Sequence, residues 1–326
     1  MNESGYPLVS IVVTSYNRAH WLKETIDSVL EQDYPNFELV ISDNCSTDGT
    51  DELLQTYLKD NRVRYFKNAT NIGMIENFYK VFLELAKGKY VTHVSSDDYL
   101  CNKHFISKGV EKFEKNSNIE VFSAVNVLLN DATGAKSYPE SYKYYKNTYF
   151  KQGLVNGKDC FLGFSKMHAI GFGACMLRLK SFKKSITIDK EITSSADLQI
   201  LLQLLLLGDA YFLDEECYVY RIHGNQASSR YLTSEAFIKN NRFVELPYQI
   251  AKEKKIFDEI VIERWRSLML YPYIRYGHHQ LLKTNKKEHA LFYQYSKFEF
   301  PKMTRKILLE PKYVLKRIRY YFKKAT

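Results

Sequence analysis

Apolar residues first gather in a β-branched run at residues 9–13, which passes directly into the polar series Thr14, Ser15, Tyr16 and Asn17. Leu22, Ile26, Val29 and Leu30 then recur at helical spacing, so the opening reads strand, loop, helix. Tyr34-Pro35 stops that helix, and residues 37–41 form a second buried strand ending in Ser42, Asp43 and Asn44. A helix through Leu54, Tyr57 and Leu58 and a short strand at 62–66 follow. Next comes a helical stripe of Met74, Phe78, Val81, Phe82 and Leu85, closed by Gly88. Residues 90–94 make a further strand that runs into Ser95, Ser96, Asp97 and Asp98. Strands alternating with helices predict an α/β fold, a doubly wound and mainly parallel sheet flanked by helices. The polar clusters all follow strands, where such sheets bind their ligands.

Beyond residue 130 the pattern weakens. Residues 138–149, crowded with Tyr and Lys, read as a loop, 171–177 and 211–220 as strands, and 196–207 as a strongly apolar helix. After residue 231 no strand pattern survives, and 235–280 reads as two or more helices. The expected organisation is a domain over 1–230 and a helical C-terminal region over 231–326.

Composition narrows the class. With 45% hydrophobic and 15% aromatic residues in 326, the chain has ample material for a core. Its five cysteines, an odd number with no Cys-x-x-Cys spacing, argue against a zinc ribbon or disulfide framework and fit a reducing cytoplasm. Residues 1–7 lack the basic-then-apolar layout of an export signal, and the longest aliphatic run, 200–207, is far shorter than the ~20 residues of a membrane span. The net charge of +10 is uneven. Residues 297–326 hold ten basic and two acidic side chains, whereas the rest of the chain is nearly neutral, with 37 basic and 35 acidic.

The motifs around Thr14-Ser15-Tyr16-Asn17-Arg18 and Ser42-Asp43-Asn44 resemble the opening of the family 2 glycosyltransferases. Asn71-Ile72-Gly73 with Asn77 resembles that family's Asn-x-Gly segment, and Ser95-Ser96-Asp97-Asp98 its Asp-x-Asp site. Ser195-Ala196-Asp197-Leu198 resembles the motif bearing the catalytic base, and Tyr220-Arg221-Ile222-His223 with Ser228 the closing Tyr-Arg-x-His segment. The match covers roughly residues 8–230, and the order and spacing of five short motifs carry it. It implies a GT-A (Rossmann-like) fold, a nucleotide-sugar donor, a divalent metal (Mn or Mg) and inversion at the anomeric carbon.

On that resemblance, Thr14, Tyr16, Asp43, Asn44, Asn71, Ser96 and Arg221 are expected to bind nucleotide. A pyrimidine base needs an acceptor for its imide N–H and an aromatic face, which Asp43 or Asn44 and Tyr16 can supply. Asn44 stands where the family often has a second carboxylate. The alternative is that Asp43-Asn44 caps its own turn. Asp97, Asp98 and His223 are the expected metal ligands, hard oxygen joined by a neutral imidazole. A serine, Ser95 or Ser96, replaces the first Asp of the usual motif. Arg221 suits either a phosphate or a structural ion pair. Asp197 is the expected base for the acceptor hydroxyl, with a helix-start role as the alternative, and Ala196 replaces the family's preceding Glu. His168 and Arg178 flank a glycine-rich stretch with structural roles favoured, and Trp21 reads as packing on the first helix.

In residues 312–324, Lys312, Lys316, Arg319 and Lys323 share one helical face and Val314, Ile318 and Tyr321 another, a basic amphipathic helix suited to an anionic membrane surface. No nucleic-acid motif accompanies it. The expectation is a cytoplasmic enzyme, peripheral on the inner face of the membrane. It would move sugar from a UDP- or dTDP-sugar to a glycan acceptor, lipid-linked, in surface polysaccharide synthesis. The rival readings are a non-catalytic sugar-nucleotide-binding scaffold, suggested by the missing Asp and Glu, and a nucleotidyltransferase, disfavoured because no glycine-rich loop follows the first strand.

Overall fold

The computed structural model describes residues 5–139, 142, 153–166, 171–226, 232–311 and 313. These divide into two compact units, Met1–Lys190 with Ile200–Gly224, and Glu191–Gln199 with Asn225–Thr326. The segment 191–199 therefore belongs with the second unit.

In the first unit β1 (Val9–Ser15) lies at the centre of a parallel array between β2 (Phe37–Asp43) and β4 (Tyr90–Ser95), and β3 (Val63–Lys67) pairs outside β2. Val9, Ile11, Val12 and Val13 are wholly buried, as a strand covered on both faces requires, and Ser10 within the run is buried and donates to Glu38 at 2.6 Å. Helix α1 (Ala19–Leu30) buries Leu22, Ile26 and Val29 against that core, each contributing about 1.5–3 kcal/mol. Its first N–H, on Ala19, is capped at 2.9 Å by Asp48, two residues before α2 (Thr50–Tyr57). Helix α3 (Met74–Lys80) continues into a π-helical turn at Val81–Leu85.

Past β4 the sheet becomes mixed. Next in order come β9 (Cys175–Arg178), antiparallel to both neighbours, then β6 (Ile119–Asn130) and β10 (Asp209–Ile222), parallel to each other. The short strands β5 (Tyr99–Leu100), β7 (Lys136–Ser137) and β8 (Gly153–Val155) pair antiparallel on β10 or β6. Helix α4 (Phe105–Lys115) packs beside β6, and α5 (Gly157–Gly163) and α6 (Leu179–Ser185) complete the layer. The strand expected at 171–177 starts only at Cys175, because Phe172–Ala174 is a 3₁₀ turn. That turn brings Gly173 so close to Tyr218 that an added Cβ would lie 2.5 Å from the ring.

Helix α7 (Ala196–Leu205) begins in the second unit and ends in the first. The second unit is otherwise helical, with α8 (Ser234–Asn240), α9 (Arg242–Glu253), α10 (Glu259–Thr284), α11 (Lys286–Glu299) and α12 (Pro301–Leu308). Phe237, Trp265, Ile274, Leu281, Phe292 and Ile307 are buried there. No helix among the described residues is long and apolar enough to cross a membrane.

Candidate active site

Thr14 on β1 stands in register with Ser42 on β2 and with Ser95 on β4, so the polar clusters after three strands meet at one edge of the sheet. On the β4 side, Asp97 Oδ2 lies 3.0 Å from His223 Nε2, although 126 residues separate them. His223, with its side chain only 5% exposed, packs against Trp21 in a tilted ring contact at 4.1 Å between centroids. Arg18 Nε approaches the same Asp97 oxygen at 3.6 Å and lies over the Trp21 ring. Helix α1 thus supplies a wall of the site, and Trp21 is a site residue that its helical periodicity conceals.

Arg221 takes the structural alternative. Its guanidinium pairs with Asp131 at 2.8 Å and with Glu24, donates from Nε to the Asp97 carbonyl at 2.9 Å, and lies over Trp21. The Arg221 guanidinium holds the Asp131 carboxyl below the usual carboxylate range, with a smaller pull from the Trp21 side chain. Asp98 is turned inward. It accepts the Tyr218 hydroxyl at 2.7 Å and the Arg221 N–H at 2.8 Å, while Tyr218 in turn accepts the Ser95 N–H at 3.2 Å. Burial and then the charge of Asp97 push the Asp98 carboxyl up to about 8, against the pull of those two donors. Asp98 therefore ties β4 to β10 and so fixes where Asp97 sits.

At 3.0 Å Asp97 and His223 are hydrogen-bonded to each other, and the same spacing fits adjacent corners of an octahedral ion with ligand distances of about 2.1 Å. Among the described residues no three His, Cys, Asp or Glu side chains converge as a complete cage.

On the β2 side, Tyr16 is 40% exposed and presents an open ring. Thr14 Oγ1 lies 3.0 Å from Nε2 of His93, which burial among Phe78, Phe82 and Phe172 lowers to about 4 and so keeps neutral. Asp43 is buried and accepts the Ser46 N–H at 3.0 Å, the Ser46 hydroxyl and the Tyr65 hydroxyl at 3.4 Å, so it does hold its own turn. Asn44 donates to Asn71 Oδ1 at 2.9 Å and the Gly73 carbonyl at 3.1 Å, and accepts from Asn68 and the Ile72 N–H. A carboxylate could not make these two donations. Asn71 also accepts the Gly73 N–H at 2.9 Å. Ser96 is buried.

Asp197 sits in the first turn of α7, its Oδ1 accepting the Leu198 N–H at 2.8 Å. Its surroundings are close enough that burial pushes the carboxyl up to about 6, against the backbone donors. The segment before it is clasped by Asn240 of α8, whose Oδ1 accepts the N–H groups of Ser194 at 3.1 Å and Ser195 at 3.0 Å and whose amide donates to Ser195 Oγ at 2.8 Å. Nothing in the sequence marks Asn240. Arg178 bonds the carbonyls of Ile119, Phe113 and Asn116, a structural role. His168, Ser228, most of the Tyr-rich stretch and nearly all of 312–324 lie outside the described residues.

Comparison with known proteins gives the family and the fold. The model of glycosyl transferase family 2 matches residues 10–177, just over half of the chain. The putative teichuronic acid biosynthesis glycosyltransferase TuaG of Bacillus subtilis is 36% identical over 149 residues, 44% of this chain and 58% of TuaG. The poly(ribitol-phosphate) beta-N-acetylglucosaminyltransferase TarS of Staphylococcus aureus is 24% identical over 246 residues, covering 72% of this chain and 39% of TarS. The chain thus spans little more than half of TuaG and well under half of TarS. The crystal structure of S. aureus TarS 1-349 in complex with UDP-GlcNAc superposes with a TM-score of 0.69 at 19% identity, over 88% of this chain and 78% of that one. That likeness establishes the shared fold, the GT-A arrangement implied by the motifs. With the strand-end clusters, the family match identifies the chain as a member of glycosyl transferase family 2.

Proposed function

We propose that the protein transfers a sugar, with inversion, from a UDP- or dTDP-sugar to a hydroxyl of a glycan acceptor in cell-surface polymer synthesis. The observation that carries this reading is the 3.0 Å approach of Asp97 and His223 at the carboxyl edge of the sheet. This pair would hold Mn or Mg, which when bound neutralises the diphosphate of the donor and eases its departure. Tyr16 offers the face on which a pyrimidine stacks, while Asp43, wholly buried and engaged by Ser46 and Tyr65, shapes the turn beneath it. Asp197 takes the proton of the acceptor hydroxyl as its oxygen bonds to the anomeric carbon and the bond to the diphosphate breaks. Its assignment rests on the motif match and on a carboxyl raised to about 6, close to the pKa a base at neutral pH needs.

The UDP-GlcNAc complex of the TarS structure and the polymer named for TuaG support the donor and pathway class. A lipid-linked acceptor would place the enzyme at the inner face of the cytoplasmic membrane. The test is hydrolysis of a panel of nucleotide sugars with Mn or Mg, with and without a chelator. The reading expects hydrolysis of at least one pyrimidine nucleotide sugar, suppressed by the chelator. A non-catalytic scaffold hydrolyses none.

A further inference from the structure

We infer that the outer face of α12 is a docking surface for anionic phospholipid. Helix α12 buries Thr304 and Ile307 on one side. On the other, Lys302, Arg305, Lys306 and Leu309 follow one another at helical spacing and, with Glu310, line a shallow cavity of about 530 Å³. Glu310 does not offset their charge, because its carboxylate is held by Arg275 at 2.7 and 2.9 Å and by the Tyr271 hydroxyl at 2.8 Å. None of the three cations has an acidic partner among the described residues, and Lys306 instead lies 4.7 Å over the Tyr271 ring.

The apolar exposures identify the occupant. Leu309 is 68% exposed, and Phe298, beside Lys297 at the end of α11, is 83% exposed. A nucleic-acid backbone complements the cations but offers nothing to an exposed leucine. A lipid surface takes both, phosphate for the cations and the acyl boundary for the apolar tips. The sequence after α12 continues the same charge, with six further cations and no acid over residues 312–326. This inference concerns the second unit alone and does not depend on the transfer reaction.

The experiment is flotation of the full chain with phosphatidylcholine vesicles, with and without phosphatidylglycerol, at low and high salt. Wild type is expected to partition onto the anionic vesicles only. The triple variant Lys302→Gln, Arg305→Gln, Lys306→Gln is expected to lose about a hundredfold in partition at low salt. Phe298→Gln with Leu309→Gln is expected to abolish the binding that survives high salt. All five side chains are exposed, so both variants should keep the wild-type thermal midpoint and nucleotide binding, which reports that the chain is folded. Equal partition onto uncharged vesicles, wild-type partition of the triple variant, or retention by duplex DNA without vesicle binding would each overturn the inference. So would a loss confined to variants that neutralise the cations of residues 312–326.

Discussion

Trp21 packs against His223 with their ring centroids 4.1 Å apart and their planes tilted by 42°, joining the first helix after β1 to the residue that follows β10. The contact holds one partner of the Asp97–His223 pair in place, so Trp21 acts through His223 as a positioning residue. Trp21→Leu should raise the donor KM, and the Mn concentration for half-maximal rate, by about three- to tenfold, the worth of one aromatic pair. The kcat should change little and Trp21→Phe should restore most of the loss. Steady-state rates at varied Mn check this, and a fall in kcat alone would contradict it.

Tyr218 is the second support. Its hydroxyl gives to Asp98 and receives from Ser95, so Tyr218→Phe leaves the buried Asp98 carboxyl and the Ser95 N–H each short of a partner. The expected cost is about 1–3 kcal/mol in urea unfolding, together with weaker metal-dependent nucleotide binding. Gly173→Ala should act on the same ring from its other neighbour, since the new Cβ would crowd Tyr218 at 2.5 Å.

Much of this was legible in the sequence, and the limits have physical causes. β1, β2 and β4 are read directly because short runs rich in β-branched and apolar residues end in polar turn residues. The pairing of Asp97 with His223 is suggested only by the family motifs, since the partners lie far apart in the chain. The sequence reports residue types and not the use of each polar atom. Hence Asn44 and Asn71 emerge as a clasp on the 68–73 segment, Asp98 as a buried tie and Arg221 as an ion-paired strut. Trp21 hides in a helical stripe and Asn240 in a region without motifs. Both act through contacts that form only when the chain is folded.

The pH dependence of transfer should report Asp197. A base works when ionised, so kcat/KM should be full above about 6 and fall as the pH drops through that value. Asp197→Asn should remove transfer, a loss of about 10²–10⁴-fold, while nucleotide binding survives. An acidic limb near the ordinary carboxylate value, or near wild-type turnover of the variant, would remove the assignment.

Asn240 should matter to rate without touching nucleotide. Asn240→Leu strands the N–H groups of Ser194 and Ser195 and loosens the segment that presents Asp197. Transfer should fall about 10- to 100-fold with UDP affinity unchanged. Calorimetric titration beside a rate assay separates the two effects.

Asp97 and His223 are proposed to form together a metal-dependent site for a pyrimidine nucleoside diphosphate. Calorimetric titration of UDP and dTDP into wild type and His223→Ala, each with Mn and with a chelator, tests it most directly. The account predicts binding of at least one of the two nucleotides to wild type with Mn, loss of that binding with the chelator, and at least a tenfold weaker affinity in His223→Ala. Equal affinity with and without Mn, or no binding of either nucleotide, would contradict it.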